Sequence, residues 1–290
     1  MTNRRTFLAQ AGLAGAAMLI APKMLSAKGI NKVGLQLYSL RDYLPKDVKG
    51  VTAKVAQAGY KEVETYGYSK KDGFWGLDAK AYGELLKANG LVSPSGHYGY
   101  ESYFRTGSTE ELDSYIEAAH TIGQTYVILP WMSGDLIDTA DKCKAIAKKF
   151  TTAAEYLKKA NLKFAYHNHN FEWKPVDGTT FYDVILKETD PAVVKLELDM
   201  YWVVRAGHDI ADILAKNPGR FELCHVKDAD KSNVELNTEV GKGSIDYKAM
   251  LAKAGKAGVK HFIVEQENFT NIDAYVSITE SCKYVKTLSV

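Results

Sequence analysis

The sequence lacks the cysteine pattern of a small disulfide-bonded protein. Its 290 residues include only three cysteines, Cys143, Cys224 and Cys282, which are odd in number and far apart. They define no disulfide framework, and they lack the paired short spacing of a structural zinc site. We interpret them as buried or free thiols.

A strong net charge is also missing. The chain has 37 lysines and arginines against 35 aspartates and glutamates, which leaves a net charge of +2. This balance argues against a basic nucleic-acid-binding protein and against an acidic disordered chain. Because 46% of the residues are hydrophobic, the composition predicts an ordinary globular protein with one large core.

The N-terminal apolar run is shorter than the roughly 20 residues that a membrane-spanning helix needs. It follows Arg4 and Arg5, extends to Ala21 and is interrupted by Gln10, and a small-residue cleavage site at Ala27 comes after it. We interpret residues 1–27 as a twin-arginine-type export signal rather than a membrane anchor. We therefore expect a periplasmic or otherwise exported protein, with no membrane insertion after the leader is removed.

From residue 31 onward, short β-branched or aromatic runs alternate with amphipathic helical segments. Eight such pairs without a long linker predict one α/β domain over residues 28–290, a (β/α)8 TIM barrel. The predicted strands are Val33–Tyr38, Glu62–Tyr66, Leu91–His97, Tyr126–Pro130, Lys163–His169, Val194–Asp199, Phe221–Val226 and Phe262–Gln266. The predicted helices are Thr52–Ala58, Ala79–Ala88, Thr109–Ile122, Asp141–Ala160, Thr180–Lys187, Ile210–Lys216, Tyr247–Ala257 and Asn271–Thr287.

Ionisable side chains stand at the ends of most predicted strands. They are Glu62, Glu64, His97, His167, His169, Glu197, Asp199, His225, Glu265 and Glu267. Because such barrels form their active sites at the C-terminal ends of the strands, we expect these groups to converge there. A mixed imidazole and carboxylate set suits one divalent cation, Mn²⁺, Zn²⁺, Co²⁺ or Fe²⁺, without selecting among them.

Several of these residues have two open interpretations. Lys227 would contact substrate oxygens or form an ion pair with Glu197 or Glu267. Glu64 would lie at the barrel mouth, near the substrate or paired with Arg41. The candidate substrate-binding residues are Glu64, Tyr66, His97, Asn168, His169 and Trp202. Trp131 is a further candidate for the wall of a sugar site. Gln36 and Tyr38 are expected to share one inward face of the first strand.

Seven segments carry a resemblance to a known family. They are Val33–Arg41, Gly59–Glu64, Phe164–Asn170, Leu196–Asp199, His225–Asp228, Gly241–Asp246 and Ile263–Glu265. Together they resemble the xylose isomerase-like TIM barrels, often labelled sugar phosphate isomerase/epimerase. That family includes tagatose 3-epimerase, hydroxypyruvate isomerase, inosose dehydratase and endonuclease IV.

The resemblance implies a metal site. In the epimerases a carboxylate on strand five, an Asp on strand six, a His on strand seven and a Glu on strand eight hold the cation. The implied ligands are Asp199, His225 and Glu265, with His167 in place of the strand-five carboxylate. His169 is the alternative fourth ligand.

The resemblance also implies catalytic roles, because in the epimerases the carboxylates of strands five and eight exchange protons on opposite faces of the substrate carbon. The catalytic candidates are therefore Glu265 and His167, to which we add Lys227. The histidine at the strand-five position weakens the case for 3-epimerisation specifically.

Trp202 stands where these enzymes commonly place a substrate-contacting histidine. An indole there favours stacking on a sugar ring, and no phosphate-cradling Gly-rich loop is present, so we expect an unphosphorylated substrate.

Three hypotheses follow for the function. The leading one is a metal-dependent sugar isomerase or epimerase that moves a proton alpha to a carbonyl. The alternatives are a 3-keto-glycoside lyase or hydrolase that releases an aglycone, and a non-catalytic sugar-binding barrel. The expected partner is a small sugar or glycoside, not a nucleic acid, and a homo-oligomer is compatible with the sequence.

Overall fold

The computed structural model describes residues 29–269 and 272–290. Eight parallel strands close into one barrel in which each strand pairs with the next and the last pairs with the first. The barrel strands are β1 Val33–Gln36, β2 Glu62–Thr65, β3 Val92–His97, β4 Tyr126–Leu129, β5 Lys163–His167, β6 Val194–Asp199, β7 Phe221–Val226 and β8 His261–Val264. The (β/α)8 barrel predicted from the sequence is confirmed, whereas the predicted export signal lies outside the described residues.

Helices cover the outside of the barrel. They are α1 Val48–Gln57, α2 Ala79–Ala88, α3 Glu101–Thr106, α4 Glu110–Ile122, α5 Ala140–Lys159, α6 Phe181–Glu188, α7 Met200–Arg205, α8 Ile210–Lys216, α9 Tyr247–Ala257 and α10 Ala274–Lys286. The short helices α3 and α7 were not expected from the sequence. In the described part of the chain, no helix is both long and apolar enough to cross a membrane, and all three cysteines are buried free thiols.

Five predicted strands end one or two residues earlier than expected, and for β1 and β5 the early end moves a candidate site residue. The side-chain oxygen of Gln36 accepts a hydrogen bond from the Tyr38 backbone N–H at 2.9 Å, and a 3₁₀ turn begins directly after β1. Tyr38 therefore does not share an inward face with Gln36, and its side chain lies at the rim of the barrel. Similarly, β5 ends at His167, so His169 belongs to the loop after the strand.

Alternation along the strands builds the barrel interior in layers. One buried apolar cluster consists of Tyr126, Ile128, Ala165, Leu223 and Ile263. Side chains two residues apart point to the same face of a strand, so the residues two further on lie directly above this layer. They are His167 after Ala165, His225 after Leu223 and Glu265 after Ile263. The apolar layer thus supports a polar layer at the C-terminal end of the barrel.

A different charged group lies at the N-terminal end of the barrel, around Glu222. Its carboxylate is 2.6 Å from the Lys163 ammonium and 3.1 Å from that of Lys260, and it accepts a hydrogen bond from the Tyr126 hydroxyl at 2.5 Å. Burial alone would raise the pKa of Glu222, but Lys163, Tyr126 and Lys260 outweigh burial and lower the pKa to about 2.

We predict that Glu222 makes the fold sensitive to acid. Because its pKa is lower in the folded chain than the ordinary value of 4.5, its stabilisation is present above about pH 4.5 and is lost as the pH falls toward 2. Glu222→Gln should lower the free energy of unfolding at pH 7 and flatten its decline between these pH values, as measured by denaturant unfolding. Glu84→Gln, at an exposed site on α2, is the control and should keep the wild-type profile. A wild-type profile for Glu222→Gln would contradict this role.

Candidate functional site

A cavity of about 520 Å³ opens at the C-terminal ends of the barrel strands. Aromatic rings and histidines form most of its wall. The lining residues are Tyr38, Tyr66, Gly67, His97, Tyr98, Gly99, Pro130, Trp131, His167, His169, Asn170, Phe171, Trp202, Glu265 and Glu267. Its volume falls within the range of about 300–1,000 Å³ that is usual for small-molecule sites.

Four buried side chains from β5, β6, β7 and the end of β8 meet at the base of this cavity. We call His167, Asp199, His225 and Glu265 the outer cluster; one ligand atom from each lies within 4.8 Å of the others. Nε2 of His167 is 3.4 Å from Oδ2 of Asp199 and 3.1 Å from Nδ1 of His225. Nδ1 of His225 is 3.2 Å from Oε2 of Glu265. These are the four residues that the resemblance implied as ligands.

The outer cluster has the donor atoms and orientations that a divalent cation requires. Oδ1 of Asp199 accepts the Trp202 backbone N–H at the start of α7, while Oδ2 is buried without a hydrogen-bond partner among the described residues. Nδ1 of His167 lies 3.4 Å from the Pro130 carbonyl oxygen, which leaves Nε2 facing the cluster. Metal-binding histidines are commonly oriented by a second contact of this kind. The residues therefore fit a cation.

A second group of buried side chains lies next to the first and shares His225 with it. We call Glu64, His97, Glu197 and His225 the inner cluster. Nε2 of His97 is 2.9 Å from Oε1 of Glu64 and 2.8 Å from Oε2 of Glu197. Nε2 of His225 is 2.8 Å and 3.4 Å from the same two oxygen atoms.

Burial and the mixed charges displace the pKa values of both clusters. Burial alone would raise the pKa of Asp199, but His167 and His225 hold it well below its usual range. Burial lowers the pKa of His167 to about 4, and His225 adds to this effect. Burial would also lower the pKa of His97, but the carboxylates of Glu64 and Glu197 outweigh burial and raise it to about 9. Strong perturbations of this kind concentrate at functional sites.

Lys227 is fully buried beside the outer cluster. Its ammonium is 3.3 Å from Oε2 of Glu265 and forms a close ion pair with Glu267. It also lies 5.0 Å from the centre of the Trp202 ring. Of the two ion pairs considered from the sequence, the structure shows the one with Glu267, and Lys227 also holds the Glu265 carboxylate. Its contact with a substrate stays a prediction.

Four of the six expected substrate-binding residues line the cavity, namely Tyr66, His97, His169 and Trp202. The other two lie elsewhere. Glu64 is not at the barrel mouth and does not contact Arg41, because its carboxylate is fully buried and bonded to Gln36 and Ser95, at 2.6 Å each, in addition to the two histidines.

Asn168 is the other expected residue outside the cavity lining. Its side-chain oxygen accepts the Asp199 backbone N–H at 3.1 Å, and its nitrogen donates to the Asp199 carbonyl oxygen at 3.2 Å. Asn168 thus joins the ends of β5 and β6, and it positions a cluster residue rather than facing a ligand.

His169 is held at the cavity wall by its neighbours. Its backbone N–H donates to the buried Glu172 carboxylate at 2.9 Å, and its ring stacks on Phe171 with ring centroids 5.6 Å apart. Nδ1 is buried without a hydrogen-bond partner among the described residues. Burial, with a smaller contribution from His167, lowers the pKa of His169 to about 3. The ring is therefore neutral at neutral pH.

Six cavity residues were not anticipated from the sequence: Gly67, Tyr98, Gly99, Pro130, Asn170 and Phe171. Tyr98 and Asn170 directly follow His97 and His169, so the only available signal was their adjacency to a strand-end histidine.

We predict that Asn168→Ala destabilises the protein. The change leaves the buried Asp199 N–H without a partner, which costs about 1–3 kcal/mol of unfolding free energy. Asn170→Ala is a matched control, because Asn170 lines the cavity and takes no part in these bonds. Denaturant unfolding should separate the two variants; equal stabilities would contradict the positioning role of Asn168.

Comparisons with known proteins agree with this architecture. The family model described as the xylose isomerase-like TIM barrel matches residues 52–287. A comparison with curated proteins finds no match.

The chain is similar to the solved structures of two sugar phosphate isomerase/epimerases from Parabacteroides distasonis. The first is 28% identical with a TM-score of 0.77, and the match covers 90% of this chain and 95% of that chain. The second is 25% identical with a TM-score of 0.77, covering 88% and 97%. The fold is shared with the IOLI protein, solved with a binding zinc atom, at 14% identity and a TM-score of 0.66 over 88% and 96%. The chain belongs to the xylose isomerase-like TIM barrel family.

Proposed function

We propose that the protein is a divalent-metal-dependent sugar isomerase or epimerase that moves a proton alpha to a carbonyl on an unphosphorylated sugar. The observation that carries this proposal is the position of the outer cluster at the base of a cavity with aromatic walls. The similarity to two sugar phosphate isomerase/epimerases and to a zinc-bound protein of the same fold supports it further.

The cavity lining favours a neutral sugar over a sugar phosphate. Among the described residues that line it, none is lysine or arginine. A phosphate group would lack the cationic partners that proteins normally supply. Trp202 and Tyr66 instead offer ring faces, which suit the apolar face of a sugar.

The residues of the outer cluster would have two roles, metal binding and proton transfer. His167, Asp199, His225 and Glu265 would hold the cation, which would act as a Lewis acid on adjacent sugar oxygens when bound. Glu265 also lines the cavity, and Lys227 and His225 engage only its Oε2 atom. Its Oε1 atom would accept the proton from the carbon next to the carbonyl and later return it.

His169 is a better candidate than His167 for the second proton-transfer residue. Nδ1 of His167 faces a carbonyl oxygen and Nε2 faces the outer cluster, so neither nitrogen remains for the substrate. His169 lines the same cavity, and its ring nitrogens make no hydrogen bond in the described structure. We therefore assign His167 to the metal and His169 to the substrate carbon.

The second candidate function is a 3-keto-glycoside lyase or hydrolase. A second cavity of about 420 Å³ shares Trp131 and Phe171 with the first and would accommodate an aglycone beside a sugar. This candidate also fits the export that we propose for residues 1–27, because glycosides are met outside the cytoplasm.

Turnover in D₂O with added Mn²⁺ separates these functions. Free ketoses should exchange the hydrogen next to the carbonyl for deuterium and interconvert, as followed by NMR, whereas a 3-keto-glucoside should release no aglycone. Aglycone release without ketose interconversion would replace the isomerase with the lyase. Sugar binding without either reaction would indicate a non-catalytic barrel.

We predict that His169→Gln lowers kcat by about 10²–10⁴, because a positioned acid or base contributes this much. Its metal content should equal that of the wild type, since His169 is not in the outer cluster. His208→Gln, at an exposed histidine, is the matched control and should retain full activity. If His169→Gln keeps kcat within twofold of the wild type, the assignment of the second base is wrong.

A further inference from the structure

We propose that the inner cluster is a second divalent-cation site, so that the barrel holds two cations on opposite nitrogens of His225. The donor set is two imidazole nitrogens and two carboxylate oxygens, which suits Zn²⁺ or Co²⁺. The proposal concerns binding and does not depend on which reaction the protein catalyses.

The geometry of the inner cluster resembles that of a tetrahedral site. Four contacts between Nε2 of His97 or His225 and the facing oxygen of Glu64 or Glu197 measure 2.9, 2.8, 2.8 and 3.4 Å. Tetrahedral ligands at zinc bond lengths of about 2.0–2.1 Å would be separated by about 3.4 Å. These four pairs therefore need to move apart only slightly to reach this spacing, and the remaining two pairs of ligand atoms lie within 4.8 Å.

Hydrogen bonds from the two histidines can fill this arrangement only if their hydrogens are shared between acceptors. Each Nε2 carries at most one hydrogen, yet each faces two carboxylate oxygens. Two N–H groups would therefore be shared among four contacts. In addition, Oε1 of Glu197 is buried without a hydrogen-bond partner among the described residues. A central cation would bind all four ligand atoms at once. The unpartnered Oε1 atom belongs to the carboxylate of one of these ligands, Glu197.

The surroundings of Glu64 are those of a held ligand. Its Oε1 accepts the Gln36 amide and its Oε2 accepts the Ser95 hydroxyl, both at 2.6 Å. Ligating carboxylates are commonly fixed by such bonds. Gln36 and Ser95 come from β1 and β3, so the strands on both sides of β2 orient this carboxylate.

The charge balance also favours two cations. Four carboxylates, Glu64, Glu197, Asp199 and Glu265, are buried in the two clusters. Lys227 is the lysine that pairs with this group, and it also pairs with Glu267. A neutral imidazole has one lone pair, so a His225 ring that binds a cation through each nitrogen is an imidazolate whose proton has been released to solvent. One divalent cation would offset two of the four carboxylate charges, whereas two cations would offset four of the five charges of the carboxylates and the imidazolate. Uncompensated buried charge is costly, so a second cation stabilises the site.

His97 is the member of the inner cluster that lines the cavity. This residue lines the cavity and is 8% exposed, whereas Glu64, Glu197 and His225 are fully buried. A cation that enters the cavity therefore meets His97 first.

Metal content per chain tests the proposal. The full chain is loaded with Zn²⁺ or Co²⁺, desalted and measured by mass spectrometry. We expect two equivalents in the wild type, one in Glu64→Gln and one in Asp199→Asn. Glu62→Gln is the matched control, because Glu62 lies two residues earlier on β2 and pairs with His261 at 2.8 Å outside both clusters. It should retain two equivalents.

The outcomes separate the two sites. If the wild type binds one equivalent of metal and Glu64→Gln still binds one, the inner site is overturned. The carboxylates of the inner cluster would then be paired with protons rather than with a cation. Two equivalents that survive in Asp199→Asn would count against the outer site alone. If the variants do not fold, anomalous scattering at the zinc edge from wild-type crystals decides the matter: two peaks are expected, one on each nitrogen of His225, and a single peak would overturn the proposal.

Discussion

The structure depends on how four buried carboxylates are compensated. A carboxylate removed from water is stable only when it is paired or bound to a cation, and here four of them lie in two adjoining clusters. The partners that the chain provides are mainly three histidines and Lys227. The surrounding strands and loops contribute the bonds that hold this group in place.

The barrel closure explains why these groups meet. Strands β5, β7 and β8 each contribute one residue to the apolar layer, and the residue two positions later is a polar one above it, as Leu223 and His225 illustrate. Parallel strands bring all the polar residues to the same end of the barrel. The loops that follow these strands then add the aromatic walls. Each strand and the loop after it therefore supply the polar base and the wall of the same cavity.

Much of this arrangement could be predicted from the sequence, because it depends on local periodicity. The strand-end positions of His225 and Asp199 follow from alternation alone. The contacts of Glu64 could not be predicted in this way. Glu64 meets His225 across 161 residues of sequence, and that contact depends on the register of the closed sheet.

Two local features were also difficult to predict: the early end of β1 and the helix that directly follows β6. The side chain of Gln36 caps a turn that stops β1, and this local bond competes with continued sheet pairing. Helix α7 begins at Met200, directly after β6, and its first residues have the β-branched and aromatic composition of a strand. In both places a specific hydrogen bond overrides the average preference of the segment; for α7 that bond joins the Asp199 side chain to the Trp202 N–H.

We propose that bound divalent cations compensate the buried carboxylates, and thermal unfolding with and without a chelator is the direct test. Chelation should lower the Tm, and added Zn²⁺ should restore it. The stabilisation should reach about 4 kcal/mol when free cation exceeds its Kd by a factor of about 1,000. A Tm that neither chelation nor Zn²⁺ changes would rule out this role of the cations, because the protein and its protons alone would then compensate the carboxylates.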